Sequence, residues 1–257
     1  VLDTRGINVW CAAGKELFST REVVNRVNQT RLNQVVSHNR LILPQLGATG
    51  VSAHQVKRAS GFKVIWGPVR AGDIQRFIGA DYHTDGAMRQ VTFSIWERTV
   101  LTPVELSHLP KPTFWVLLAV FLLSGIGMTV FSLHDAWYRG LMAFTAYVAG
   151  ILAGAVAAPI LLPWIPGRAF ALKGAFSGVV AGLLVVAAFK GGLIWLETTA
   201  LLLITVATSS YLAMNFTGST PYTSPSGVEK EMKCAIPLQA GAVIVALVAW
   251  ISAAFVG

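Results

Sequence analysis

Charge is scarce in this sequence. Asp, Glu, Lys and Arg make up 12% of its 257 residues, about half the fraction usual in a soluble globular domain. Cysteine is nearly missing too, with Cys11 and Cys234 the only two, so no disulfide framework is expected and an unpaired thiol suits a reducing cytoplasm. No C-x-x-C-x-x-C run offers ligands for an iron–sulfur cluster. The net charge is +8, yet no helix-turn-helix, RNP or zinc-finger pattern accompanies it, which argues against a nucleic-acid partner. The 24 glycines keep no strict period, excluding a collagen-like chain. No basic stretch leading into an apolar core opens the sequence, so no signal peptide is expected. Because it opens at Val1 rather than Met, further residues are expected before it.

What is abundant is apolar surface. Hydrophobic residues make up 54% of the chain and the mean hydropathy is +0.61, which excludes disorder and points to lipid. The two halves differ sharply. Residues 1–112 carry 14 Lys+Arg and 8 Asp+Glu, whereas residues 113–257 carry 6 and 4. We therefore expect a soluble domain over 1–108 and a membrane domain over 109–257. A basic domain beside anionic lipid headgroups accounts for the sign of the charge.

Five apolar runs, residues 113–133, 141–162, 169–189, 193–216 and 236–256, are each near the ~20 residues that span hydrocarbon as a helix. Their polar connections are residues 134–139, 163–168, 190–192 and a longer one from Thr217 to Cys234. With the soluble domain inside, Arg98, Lys111, Arg168, Lys173, Lys230 and Lys233 fall on the inner side, against Arg139 and Lys190 outside. That bias predicts a multi-pass inner-membrane protein with a cytoplasmic N-terminal domain. Glu197 is the one acidic residue clearly inside a run, and a pair with Lys190 at the outer interface is expected for it. Gly150-x-x-x-Gly154 and Gly174-x-x-x-Gly178-x-x-x-Gly182 read as close-packing ridges. The bundle reads as an anchor. The hydroxyl-rich connection, followed by Val228-Glu229-Lys230-Glu231-Met232-Lys233 as the start of an interfacial helix, is either a functional loop or a solvated linker.

In the soluble part, strands are expected over 6–10, 41–43, 62–66 and 91–95. Helices are expected over 20–37 (capped by Ser19), from Ser52 to 59, and over 73–78. Such alternation predicts an α/β, doubly wound, Rossmann-like domain with ligands at the carboxyl ends of its strands. Three loops stand out there. The first is Asn8-Val9-Trp10-Cys11-Ala12-Ala13-Gly14-Lys15, the second centres on Gly47, Ala48, Gly50, Val51 and Ser52, and the third on Gly67, Pro68, Val69 and Arg70. None matches Walker A or a full G-x-G-x-x-G. Cys11 by itself reads as either a thiolate assisted by helix amides and Lys15 or an inert buried thiol.

The octapeptide resembles the signature of the HgcA family, the membrane corrinoid proteins of microbial mercury methylation. A corrinoid-type domain followed by five spans is also that family's plan, so the resemblance covers the whole chain. The second and third loops, with Gly61-Phe62-Lys63-Val64, also look like the corrinoid iron–sulfur protein of the acetyl-CoA pathway. The resemblance implies a methyltransferase that passes a methyl group from methyl-Co(III) to Hg(II). Its cofactor would be a cobalamin-type corrinoid, base-off, with Cys11 as the cobalt's lower axial ligand. Asn8, Val9, Trp10, Ala12, Ala13, Gly14 and Lys15 would pack about the corrin face, and the second and third loops would hold the ring edge and nucleotide tail. It also implies a ferredoxin-like electron donor, HgcB, and a methyltetrahydrofolate-linked methyl donor or methyltransferase. The other readings are a corrinoid methyl carrier of C1 metabolism, and a non-enzymatic transporter or receptor with a soluble sensor domain. Cys234 reads either as a thiol relaying Hg(II) or as a small buried hydrophobe.

Overall fold

The computed structural model describes residues 2–4, 9–14, 16–128, 130–219 and 225–256. The chain divides into two compact units, Val1–Thr92 and Phe93–Gly257. This seam falls ahead of the 108/109 boundary expected from composition. The intervening helix belongs with the apolar unit, because its Arg98 donates from Nη1 to Ile160 O at 2.6 Å and lies over the Trp164 ring.

The first unit contains α1 (Val9–Gly14), α2 (Thr20–Gln29), α3 (Leu32–Val35), β1 (Arg40–Pro44), α4 (Ala53–Ser60), β2 (Lys63–Gly67) and α5 (Ile74–Gly79). Ser19 caps α2 by accepting from Glu22 N at 3.3 Å. The single helix expected over 20–37 breaks at its middle. Thr30 turns its hydroxyl back onto Arg26 O at 2.7 Å, and Arg31 takes a left-handed φ of 46°, which ends the helical ladder. β1 and β2 pair in parallel, with Leu41 opposite Val64 and Leu43 opposite Trp66, and α4 forms the crossover that a parallel pair requires.

Two expected strands are not seen as strands among the described residues. Val9 and Trp10 are helical, while residues 5–8 lie outside the described residues. Residues 91–93 carry no strand assignment and run into Ser94, whose capping box with Glu97 starts the next helix. Among the described residues this unit therefore holds one parallel pair. Its core joins Phe18, Val23, Leu43, Val51, Val56 and Val64 to Ala12 and Ala13.

The second unit is all but wholly helical, and it carries the membrane-capable segments. Among the described residues, four helices are long and apolar enough to span a bilayer: Leu133–Ile160, Phe170–Ala188, Trp195–Asn215 and Gly227–Ala253. A bent pair, α6 (Ile95–Ser107) and α7 (Pro110–Ser124), makes a fifth span only if counted together. This corrects the first expected run, 113–133. Pro110 brings no amide to continue α6, and α7 stops at Ser124, where β3 (Ile126–Gly127) and β4 (Val130–Phe131) form a small antiparallel hairpin. Fifteen residues give α7 a length of about 22 Å, short of the ~30 Å hydrocarbon core.

The second expected run begins earlier than its hydropathy. α8 (Leu133–Ile151) starts on Ser132, whose Oγ accepts from Asp135 N at 3.2 Å, so residues 134–139 are helix rather than a connecting loop. A π-helical turn (Leu152–Ala157) and α9 (Ala158–Ile160) complete that span. α10 (Phe170–Ala188) and α11 (Trp195–Asn215) follow, and then α12 (Pro225–Ala253), which merges the expected interfacial helix and last run into one. The long connection expected over 217–234 shrinks accordingly.

Both glycine ridges face α11. A Cβ on Gly150 or Gly154 would meet Thr208 and Ser209, and one on Gly174 or Gly178 would meet Ala213 and Val206. Hydroxyls of α11 then bond across these close approaches. Thr205 Oγ1 donates to Ala146 O at 3.1 Å and Ser209 Oγ to Gly174 O at 2.7 Å, as small polar residues do between packed apolar helices.

Candidate functional site

The candidate site is built at one edge of the parallel pair. Pro44 and Gly67 are the last register partners of β1 and β2, so the second and third loops leave the sheet side by side. α1 is seated on the second loop. Phe18 N donates to Ala12 O at 3.0 Å, and Thr20 N to Gly50 O at 3.2 Å. Thr20 Oγ1 in turn accepts from Ser52 N at 2.8 Å. A Cβ at Gly50 would lie 2.5 Å from Phe18 O and 2.8 Å from Ala13 O. Only glycine lets the two backbones approach this closely.

That seating decides where the octapeptide's side chains go. Ala12 and Ala13 turn into the core and are buried, Gly14 is exposed, and Val9 and Trp10 are half-buried. Cys11 stands in the middle of α1 by its backbone, while its side chain, and Asn8 and Lys15 altogether, lie outside the described residues. In the second loop Gly47 and Val51 are buried, Ala48 is exposed and Ser52 is half-buried. Gln45, which opens that loop, keeps its Oε1 buried without a hydrogen-bond partner among the described residues. Sequence pattern gave no reason to single out Gln45. The burial of one lone acceptor there is a tertiary fact.

The third loop is braced from behind. Val69 N donates to Met88 O at 2.9 Å, and Met88 N donates to Asp85 Oδ1 at 2.8 Å. Arg76 pairs with the other carboxylate oxygen. The Met88 amide, and then Arg76, hold the Asp85 carboxyl below its ordinary range. Arg70 is exposed and bonds Thr92. The structure thus gathers α1, the second loop and the third loop of the expected site at one sheet edge. Within it, Ala12 and Ala13 turn inward to the core rather than toward the open side of α1.

No family model, curated protein or solved structure matches the chain. The site stands on its own geometry. Among the described residues no group of three or more His, Cys, Asp or Glu is placed to hold a metal ion. Cys234 is exposed on α12 in the second unit.

The second unit also holds a buried ionic node that corrects one expectation. Glu197 does not pair with Lys190. Its Oε1 accepts from Arg139 Nε at 3.0 Å, and its Oε2 from Ile194 N at 3.3 Å. Arg139 further donates to Ser124 O at 3.4 Å and to Trp250 O, and lies 4.6 Å over the Trp250 ring. Trp250 Nε1 closes the ring of contacts by donating to Ser124 Oγ at 3.0 Å. Every polar group in this node is answered. It reads as a fastening of α7, α8, α11 and α12.

Proposed function

We propose that the chain is a membrane-anchored, corrinoid-dependent methyltransferase that forms methylmercury from Hg(II). The observation that supports this reading most is the seating of the octapeptide helix α1 on the glycine-bearing second loop at the carboxyl edge of a βαβ unit, the place where open α/β sheets take their ligands. On this reading the β1–α4–β2 unit is part of a Rossmann-like corrinoid domain. A metal held by side chains alone needs several ligands from the protein, whereas cobalt in a corrin ring asks for one. A single cysteine in a helix over the site suits that donor set.

The corrinoid, when bound, would supply the transferable methyl group and its cobalt chemistry. The chain's own residues have the remaining tasks. Cys11 would give one thiolate sulfur, an electron-rich donor that favours release of the methyl group toward a soft electrophile such as Hg(II). Trp10 and Gly14 offer the free surface of α1, and Ala48 and Arg70 the exposed rims of the two loops. The unpaired Gln45 Oε1 suits an amide donor such as those around a corrin ring. Electrons would come from a separate ferredoxin-like protein of the HgcB kind, and the methyl group from a methyltetrahydrofolate-linked donor. Arg98, Arg168, Lys173, Lys230 and Lys233 lie at or near one end of the helical unit. The opposite end has Lys190 and the buried, paired Arg139. This distribution supports an inner-membrane protein with that basic end cytoplasmic.

The test is cobalt content, absorption spectrum and methylmercury formation measured on the same purified full chain, with Cys11→Ala alongside. The proposal expects a corrinoid spectrum in the parent, an altered one in Cys11→Ala, and methylation lost in the variant. A parent that carries no corrinoid after reconstitution, or a variant that methylates at the parental rate, would overturn it.

A further inference from the structure

Between α10, α11 and α12 lies an open groove of about 820 Å³, within the ~300–1,000 Å³ range of ligand sites. Its walls are apolar over most of their length, with Leu172 and Ala175 on one side, Val206 at the floor and Leu238 on the other. Ser210 and Gln239 interrupt the apolar lining, with Gln239 Nε2 donating to Ser210 Oγ at 2.9 Å, and the charged lining residues are Arg168, Lys230 and Glu231. The three charges are not equivalent. Glu231 Oε1 accepts from Ala171 N at 2.6 Å, so this carboxylate is already engaged at the start of α10. Arg168 and Lys230 are exposed and pair with no carboxylate among the described residues. The groove therefore presents two cations with no carboxylate partner among the described residues, beside walls that are mostly apolar and interrupted by the Ser210–Gln239 pair.

We infer that this groove holds one anionic phospholipid of the surrounding bilayer, its phosphate on Arg168 and Lys230 and an acyl chain along Leu172, Ala175 and Leu238. The inference rests on the membrane-capable helices and is independent of the corrinoid reading. A chain of apolar helices in a bilayer leaves such a cleft to acyl chains, since an empty apolar cleft loses dispersion contacts. The headgroup is then selected by charge, as in basic pockets between membrane helices. Glu231, by occupying the helix N-terminus, keeps that end from serving as the anion site. This leaves the two side-chain cations as the discriminating contacts.

The experiment uses the full chain, delipidated in a neutral detergent and offered phosphatidylglycerol or phosphatidylcholine with identical acyl chains. Native mass spectrometry reads the bound lipid. One phosphatidylglycerol should be retained in preference to phosphatidylcholine. Arg168→Gln and Lys230→Gln, both at exposed positions, should each reduce that preference by about fivefold. Ala175→Phe, which fills the groove, should reduce retention of both lipids. Inorganic phosphate should not displace the bound lipid. Equal retention of the two lipids by the parent chain, an unchanged preference in the Arg168→Gln/Lys230→Gln double variant, or displacement by phosphate would each overturn the inference.

Discussion

Arg139 on α8 and Glu197 on α11 form an ion pair at 3.0 Å, with each side chain only 10% exposed. The two residues stand 58 positions apart in sequence, near the starts of helices that run in the same direction past one another. Burying such a pair is favourable only when the remaining donors and acceptors are also met. Ser124 O, Trp250 O and Ile194 N meet them here.

Breaking this pair from one side should be costly. Arg139→Met leaves a buried carboxylate, and Glu197→Met a buried guanidinium, for an expected loss of about 3–5 kcal/mol in either case. The double variant should recover most of that loss, because it leaves no lone charge. Unfolding midpoints of the four proteins in one detergent check this, and additive single losses in the double variant would contradict it.

Gly50 sets the distance between α1 and the second loop. Gly50→Ala places a methyl group 2.5 Å from Phe18 O, whereas Gly72→Ala has nothing within 4 Å. The first should destabilise the N-terminal unit by about 1–3 kcal/mol and lower cobalt retention. The second should be neutral in both respects. Limited proteolysis together with cobalt analysis separates the two outcomes.

Asp85 acts on the third loop through Met88, and its effect is pH-dependent. Its carboxyl titrates below the ordinary range in the folded chain. The ionised side chain therefore contributes stability above the unfolded value of ~3.9, and that contribution is lost as the pH falls through the lower folded value. At neutral pH, Asp85→Asn should speed hydrogen exchange at the Val69 amide, and the gap between variant and parent should close under acid. A gap that persists once the carboxyl is protonated would place the loop's support elsewhere.

The proposed orientation rests on the basic end of the helical unit. α12 runs from the end bearing Lys230 and Lys233 to Ala253 at the other. A reporter fused after Gly257 should therefore read as periplasmic, and one inserted in the connection between Ser219 and Pro225, ahead of α12, as cytoplasmic. The opposite pattern would reverse the proposed access of soluble partners to the N-terminal unit.

Several elements were legible in the sequence because their causes are local. Ser19 caps α2 through its own hydroxyl, Leu41–Leu43 and Val64–Trp66 are short β-favouring runs that do pair, and the last three apolar runs are helices of spanning length. The glycine spacings also announced close packing before their partner helix was known. What failed were the boundaries and partners set by distant residues. Residues 91–94 have a strand-like composition, but among the described residues no strand pairs with them, and Ser94 starts a helix. Residues 134–139 are polar enough to read as a loop, yet Ser132 starts α8 before them. Hydropathy counts Arg139 as solvent-exposed, because it sees one residue's transfer energy at a time. Only the folded bundle brings Glu197, Ser124 and Trp250 around that guanidinium, and those contacts let it be buried. The same limit holds in the N-terminal unit. The octapeptide marks α1 as special, but close backbone contact with Gly50, a tertiary relationship, is what turns Ala12 and Ala13 inward and leaves Gly14 exposed.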